Sequence, residues 1–403
     1  RLGLTRPELR AWALYDFANS AFQVTVIAAV FPIYFQRVAA SGLAPSVATS
    51  RFAWATTIAI CIVAVIAPVL GALADTRRLK KPLLAAFIAT GASATAAMYG
   101  IQEGDWMLAL VLFVIGNVGV AGSIVFSDAL LPHIARGEEM DRVSTAGYAI
   151  GYLGGGILLA LNLAMIQQPG WFGIADAGVA TRLAFVSVSV WWVLFSWPLF
   201  SRVPEPRVVP AASATAGAAL AQSVRQLATT FRELRKYRQA LLLLVAFFLY
   251  NDGIQTIIRM AAIYGAEVGI DQSALIGALL LVQFVGVPCS FAFGALAGVM
   301  GPKKSVMLGL FAYIGILVFT YHMTSAAEFY MLAGAVGVVE GGTQALSRSL
   351  LASMIPRNRS SEFFAFFGVF ERYAGVLGPA IFAVMAGLGT SRSAILTLIP
   401  FFV

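Results

Sequence analysis

Leu14-Tyr15-Asp16-Phe17-Ala18-Asn19-Ser20-Ala21-Phe22-Gln23 decides how this chain is read. The stretch sits in an apolar run of membrane-spanning length, yet Asp16, Asn19, Ser20 and Gln23 fall at i, i+3, i+4 and i+7, on one helix face. Ionisable and polar groups are costly against hydrocarbon, so that face must look onto protein or water. Far downstream, Leu249-Tyr250-Asn251-Asp252-Gly253-Ile254-Gln255-Thr256 repeats the theme. Asp252, Gln255 and Arg259 share a helical face there, with Asn251 on its flank. Two such faces, so far apart in sequence, point to opposite walls of one wet site.

The surroundings bear this out. Of 403 residues, 60% are hydrophobic and 11% charged, against about 25% charged in a soluble domain. Apolar runs of helix-spanning length recur along the whole chain. The expected class is an all-α polytopic membrane protein. Its spans are read at 13–37, 51–74, 83–101, 106–133, 143–167, 180–200, 240–264, 273–299, 305–323, 328–355, 362–388 and from 392 onward. The last holds only about a dozen residues before Val403, so the chain is expected to run on beyond it.

The net charge of +8 is unevenly placed. Arg77, Arg78, Lys80 and Lys81 cluster in one loop, Arg225, Arg232, Arg235, Lys236 and Arg238 in another, and Lys303 with Lys304 in a third. All three loops lie on one side of the predicted topology. By the positive-inside rule that side, with both termini, is cytoplasmic. Nothing further supports a nucleic-acid partner.

The spans divide into two sets of six. Residues 1–200 form an N-terminal half, 201–239 a cytoplasmic linker and 240–403 a C-terminal half. Small residues and prolines open the linker; then Leu220, Val224, Leu227, Phe231 and Leu234 recur at steps of four and three. That spacing predicts an amphipathic helix on the anionic inner leaflet. The halves resemble each other: Leu14-Tyr15 recurs as Leu249-Tyr250, and Gly71-Ala72-Leu73-Ala74 as Gly294-Ala295-Leu296-Ala297. Each match occupies the same place in its half, as expected of a duplicated fold.

Polar residues concentrate on spans one, four, seven and ten. Glu340, Gln344, Ser347 and Arg348 share a face of span ten, and Asn117, Ser123, Ser127 and Asp128 dot span four. Span eleven carries the adjacent pair Glu371 and Arg372. A central cavity between the halves accounts for this placement, although Asn and Ser serve equally well as hydrogen-bonding glue between helices. Asp16 and Asp128 lie near the inner helix ends, where gating or capping competes with ligand contact. Asp252, Arg259, Glu340 and Arg348 lie well inside their spans. Their mixed signs suit a zwitterion, and equally suit internal ion pairs that break and re-form.

Two motifs carry a resemblance. Gly71-Ala72-Leu73-Ala74-Asp75-Thr76-Arg77-Arg78-Leu79-Lys80-Lys81-Pro82, between spans two and three, resembles the signature loop of the major facilitator superfamily. Thr76 stands where that loop has Arg, and Arg78 where it has Gly. Gly71, Asp75, Arg77 and Lys80 are the gating residues it implies. The second copy keeps Gly294, Lys303 and Lys304 but has Gly298 in place of the acid. Gly147-x-x-x-Gly151-Tyr152-x-x-Gly155 is similar to the superfamily's antiporter motif, with Tyr152 for its Pro, and is also generic small-residue packing.

Four longer strings are more specific: those from Trp12, from Phe247, from Glu340 to Pro356, and from Ser361 to Pro379. They resemble the autophagy-related vacuolar amino-acid effluxers and their bacterial "unknown major facilitator" relatives. The resemblance implies twelve transmembrane helices in two pseudo-symmetric six-helix halves, alternating access, and export of an amino acid or similar small solute. It also implies the cytoplasmic (inner) membrane of a bacterium. Glu371-Arg372 departs from the group's pattern and bears on how specificity carries over.

The expected function is secondary transport of a small polar or zwitterionic solute, coupled to protons through Asp252 or Glu340. A monomer is expected, with membrane lipids around it and no cofactor or metal. A lipid-like or amphipathic cargo, or a sensor or complex subunit on the same scaffold, are the alternatives. An enzyme is not expected: His133 and His322 are the only histidines, and neither a phosphate-binding loop nor a zinc-protease motif occurs.

Overall fold

The computed structural model describes residues 3–136, 139–206, 237–267, 272–374, 377–388 and 391–403. Among the described residues the chain is helical, with no strand. The helices are α1 (Pro7–Ala39), α2 (Pro45–Thr76), α3 (Lys80–Ala97), α4 (Trp106–Ile134), α5 (Met140–Gln167) and α6 (Ala177–Arg202). The second half holds α7 (Arg238–Glu267), α8 (Gln272–Met300), α9 (Pro302–His322) and α10 (Ala326–Met354), followed by α11 (Ser360–Tyr373), α12 (Leu377–Leu388) and α13 (Ser391–Leu396). Together α11 and α12 fill the eleventh expected span, and α13 opens the twelfth. The described helices thus follow the order and spacing expected of the twelve spans. The linker's amphipathic helix falls outside the described residues.

Local chemistry marks the boundaries. Proline occupies the first turn of α1, α2 and α9, where its missing N–H costs nothing. Asp176 caps α6 by accepting the Val179 amide at 2.9 Å. Ser325 and Glu328 form a reciprocal capping box on α10. The tight turn from α8 into α9 passes through Gly301 at φ 87°, a conformation that favours glycine.

Two spans depart from the regular helices expected. Within α1, residues Phe22–Ala29 and Phe35–Ala39 are wound as π-helix, flanking the segment that contains Pro32. A proline without an N–H leaves the ladder around it free to shift register. The eleventh span is broken: Ala374 adopts φ −59°, ψ 139°, ending α11 before α12 begins. Gly375, Gly378 and Pro379 crowd this point, and none favours an uninterrupted helix.

The molecule is apolar outside as well as in. Trp54, Val65, Val190 and Trp197 point outward and exposed, as lipid-facing side chains do. The halves meet along α2 with α11, α5 with α8 and α10, and α4 with α11. Glycines permit the close α1–α5 approach: a Cβ at Gly155 would lie 3.2 Å from the Ser20 carbonyl oxygen, and one at Gly151 2.8 Å from the Ser20 hydroxyl. The stripe that resembles an antiporter motif packs α5 against α1.

Candidate functional site

A cavity of about 980 Å³ lies between the halves. Its floor is near the face where the basic loops emerge, at Asp128 and Arg348; its mouth reaches Phe52 and Phe329, near the opposite ends of α2 and α10. Asp16, Asn19, Ser20, Gln23, Gln255, Glu340, Gln344 and Glu371 line it as well. Helical spacing explains this. Glu340, Gln344 and Arg348 recur every four residues on α10, about 6 Å apart along the axis, and form a polar ladder from mid-depth to floor.

The floor is a closed ionic knot. Arg348 donates from Nε to the Ser144 hydroxyl at 2.9 Å, from Nη1 to Asp128 at 3.1 Å and from Nη2 to Asp16 at 3.0 Å. Nη2 also reaches the Ser144 carbonyl at 2.9 Å, and Nη1 the second Asp16 oxygen at 3.5 Å. All five guanidinium N–H groups therefore have acceptors. The plane lies over the rings of Trp12 at 4.7 Å and Tyr148 at 4.5 Å, adding cation–π attraction. Trp12 is itself held by its indole N–H on the Ser127 carbonyl at 2.8 Å. Because Arg348 belongs to the second half and its partners to the first, the knot ties the halves together beneath the cavity.

A second tie lies beside it on the same face. The Asp75 carboxylate pairs with Lys80 and accepts the backbone amides of Ser361 at 3.2 Å and Glu362 at 3.0 Å. Those amides belong to the first turn of α11, where unsatisfied N–H groups favour an anion. Lys80 Nζ donates to the hydroxyls of Ser360 and Ser361 at 2.9 and 2.8 Å. At Gly71 an added Cβ would lie 2.8 Å from the Ser361 carbonyl oxygen, so α2 approaches α11 only through glycine. Arg77 is exposed and ends α2 in extended backbone. The linker's first residues join in: Glu205 accepts the amides of Lys80 and Lys81 at 2.8 and 2.9 Å.

Other candidates sit elsewhere than expected. Asp252 does not line the cavity. It is fully buried, and its carboxylate accepts the amides of Leu377, at 3.2 Å, and Gly378, at the start of α12. The break in the eleventh span creates that helix end, and no reading of an unbroken helix could place the acid there. Asn251 stands behind the wall, accepting from Gln344 Nε2 at 2.6 Å and donating to the Glu371 carbonyl at 3.2 Å. The side chains of Arg259 and Arg372 lie outside the described residues.

The sequence reading missed the α5 contribution. Ser144, Tyr148 and Tyr152 repeat at four-residue steps and face the α10 ladder: Ser144 and Tyr148 hold Arg348, and Tyr152 lines the cavity with Glu340. That spacing is present in the sequence, where Tyr152 reads only as part of the glycine motif. Gln283 of α8, in a span read as apolar, also lines the cavity. Asn19 and Gln23 bond along their own helix, Gln23 Nε2 to Asn19 Oδ1 at 2.8 Å.

Residues 45–403 match the family model described as vacuole effluxer Atg22 like. The chain is 34% identical to the MFS-type transporter YxiO of Bacillus subtilis, over 98% of this chain and 92% of that protein. It is 28% identical to autophagy-related protein 22 of Yarrowia lipolytica over 61% of this chain and 46% of that one. The solved structure of the human organic anion transporter MFSD10 superposes with a TM-score of 0.74 at 13% identity, covering 98% of this chain and 97% of its own.

Proposed function

This chain belongs to the family of vacuole-effluxer Atg22-like proteins and is an MFS-type transporter; on that premise we propose that it carries a small amine-bearing solute, zwitterionic amino acids included, by alternating access. One observation carries the reading: the wet cavity is sealed at the basic face by ties that all run between the halves. Asp16, Asp128 and Ser144 are on one side of the Arg348 knot, and Asp75 and Lys80 on one side of the α11 tie. Rocking the segments 1–200 and 240–403 against each other breaks both ties and moves the opening to the other face. With the basic face in the cytoplasm of a bacterium, the described state opens outward, and export requires the knot to open for loading. Water or substrate can take up the contacts broken in that step.

Proton coupling in this reading runs through Glu340. It is a carboxylate of the cavity wall at mid-depth, whereas Asp252 accepts the amides at the start of α12. The apolar mouth, with Phe52, Phe113 and Phe329, favours cargo with a hydrophobic body over a sugar-like one.

The test is flux in sealed proteoliposomes containing the purified full chain, screened with labelled amino acids, amines, sugars and lipids. The expected result is exchange of an amine-bearing solute, driven by a pH gradient and lost in Glu340→Gln. Folded protein that moves nothing would point to a sensor on this scaffold. Flux that ignores a pH gradient but follows sodium would remove the proton.

A further inference from the structure

The cavity's polar middle is unequal in donors and acceptors. Arg348 has no N–H left for a ligand, because two carboxylates and both oxygens of Ser144 take all five. Among the described residues, Glu340 makes no ion pair, and Tyr152 lines the same cavity. One turn deeper, Gln344 is 6% exposed, and its Oε1 is buried without a hydrogen-bond partner. Its orientation is fixed from behind: Nε2 donates to Asn251 Oδ1, and Asn251 in turn donates its own Nδ2 to the Glu371 carbonyl. Flipping the amide would set two acceptors against each other, so Oε1 is the oxygen left over. On α8, Gln283 is 8% exposed and also has an unpartnered Oε1.

These groups converge where α5, α8 and α10 meet. The Tyr152 ring packs on Gly286, where an added Cβ would come within 2.9 Å of it, and on Gly341. Gln283 faces Gly156, one turn along α5, at 3.1 Å by the same construction. The corner thus offers a carboxylate and the fixed Gln344 amide oxygen, both acceptors, with the Gln283 amide and an aromatic ring beside them. A buried acceptor left unmet is destabilising. A primary ammonium brings three N–H donors and a positive charge, and so meets that deficit. Towards the mouth, Phe113, Phe329 and Leu332 replace polar groups.

Resting on the transporter reading above, we infer that the corner formed by Glu340, Tyr152, Gln344 and Gln283 receives the ammonium end of an amphipathic amine, whose apolar body points to the mouth. The α-carboxylate of an amino acid is a passenger here and not an anchor. An organic cation without a carboxylate is then as good a ligand as the amino acid of the same body.

A matched series tests this: phenethylamine, phenylalanine and hydrocinnamate share one aromatic body and carry the amine alone, both groups, or the carboxylate alone. Binding to the purified full chain in lipid nanodiscs is measured by thermal stabilisation and titration calorimetry near neutral pH. Phenethylamine is expected to bind at least as tightly as phenylalanine, and hydrocinnamate at least about tenfold more weakly, the scale of a charge-assisted hydrogen bond. Glu340→Gln is expected to weaken phenethylamine about tenfold, and Gln344→Leu less. Tightest binding by hydrocinnamate, binding of none of the three, or indifference to Glu340→Gln overturns the assignment. The wild-type ranking decides if the variant does not fold. Flux of an anionic or neutral solute that survives Glu340→Gln would sink this inference and leave the carrier standing, whereas absence of all flux sinks the carrier itself.

Discussion

The two inter-half seams at the basic face are built from the same repeated string and behave differently. In the first, Gly71-Ala72-Leu73-Ala74-Asp75 brings α2 against α11; in the second, Gly294-Ala295-Leu296-Ala297-Gly298 brings α8 against α5. Glycine opens both strings for one reason: a Cβ at Gly71 would strike the Ser361 backbone, and one at Gly294 the Thr145 side chain. The last position separates them. Asp75 is buried among Lys80 and the first amides of α11, whereas a Cβ at Gly298 would first meet the exposed Arg142. Lys303 and Lys304, the counterparts of the first loop's lysines, stay in solvent. Duplication therefore preserved the close approach and not the charge. One seam locks by directed electrostatics; the other, among the described residues, is held by shape without an ion pair.

Breaking the lock should have the largest effect. Lys80→Met removes the cation from a pair whose side chains are 2% and 0% exposed, leaving Asp75 buried and charged. Removing one partner of such a pair costs about 3–5 kcal/mol. The expected outcome is a marked drop in unfolding temperature in detergent, largely recovered in the double variant Lys80→Met, Asp75→Asn. Lys303→Met in the second seam should change stability by less than about 0.5 kcal/mol, as exposed substitutions do. Equal losses from both lysines would erase the contrast.

The parts of this comparison that were legible in sequence are those set by periodicity. Helix faces follow from spacing alone, so Asp16, Gln344 and Arg348 could be grouped before any coordinates. Hydrophobic length placed the spans within a few residues. What stayed hidden depends on where backbone regularity fails. Asp252 and Glu340 look alike in sequence, as lone acids in apolar helices. One serves the start of α12 because the eleventh span breaks at Ala374, and the other faces the cavity. The π-wound stretch of α1 likewise re-aims side chains that a regular wheel would set differently. The tyrosines of α5 were hidden by chemistry rather than geometry, since aromatic residues in membrane helices are common and only their partners single them out.

A middle-sized effect should come from filling the glycines. Gly71→Val forces a branched side chain onto the Ser361 carbonyl, which belongs to backbone and cannot rotate away. Overpacking of that kind costs about 1–3 kcal/mol. Gly294→Ala meets the Thr145 hydroxyl, the end of a side chain with other rotamers, so it should cost clearly less. Thermal unfolding of the two variants side by side measures the difference. If Gly294→Ala proves the more damaging, the second seam is the tighter one.

The smallest effect would come from restoring the missing charge. At Gly298 an added Cβ lies 3.2 Å from Arg142 Nη2, so Gly298→Asp sets a carboxylate beside a guanidinium across the second seam. Arg142 is exposed, and exposed pairs contribute only about 0.2–1 kcal/mol. Stability should therefore rise slightly, by an amount that fades in high salt as screening sets in. The more telling readout is kinetic. If sliding at α5 and α8 is part of opening the basic face, even a weak second tie lowers the turnover of whatever solute the flux screen identifies, and salt restores it. A variant whose turnover matches the wild type at low salt would mean that this seam does not part during the cycle, leaving the Asp75 side to carry the motion alone.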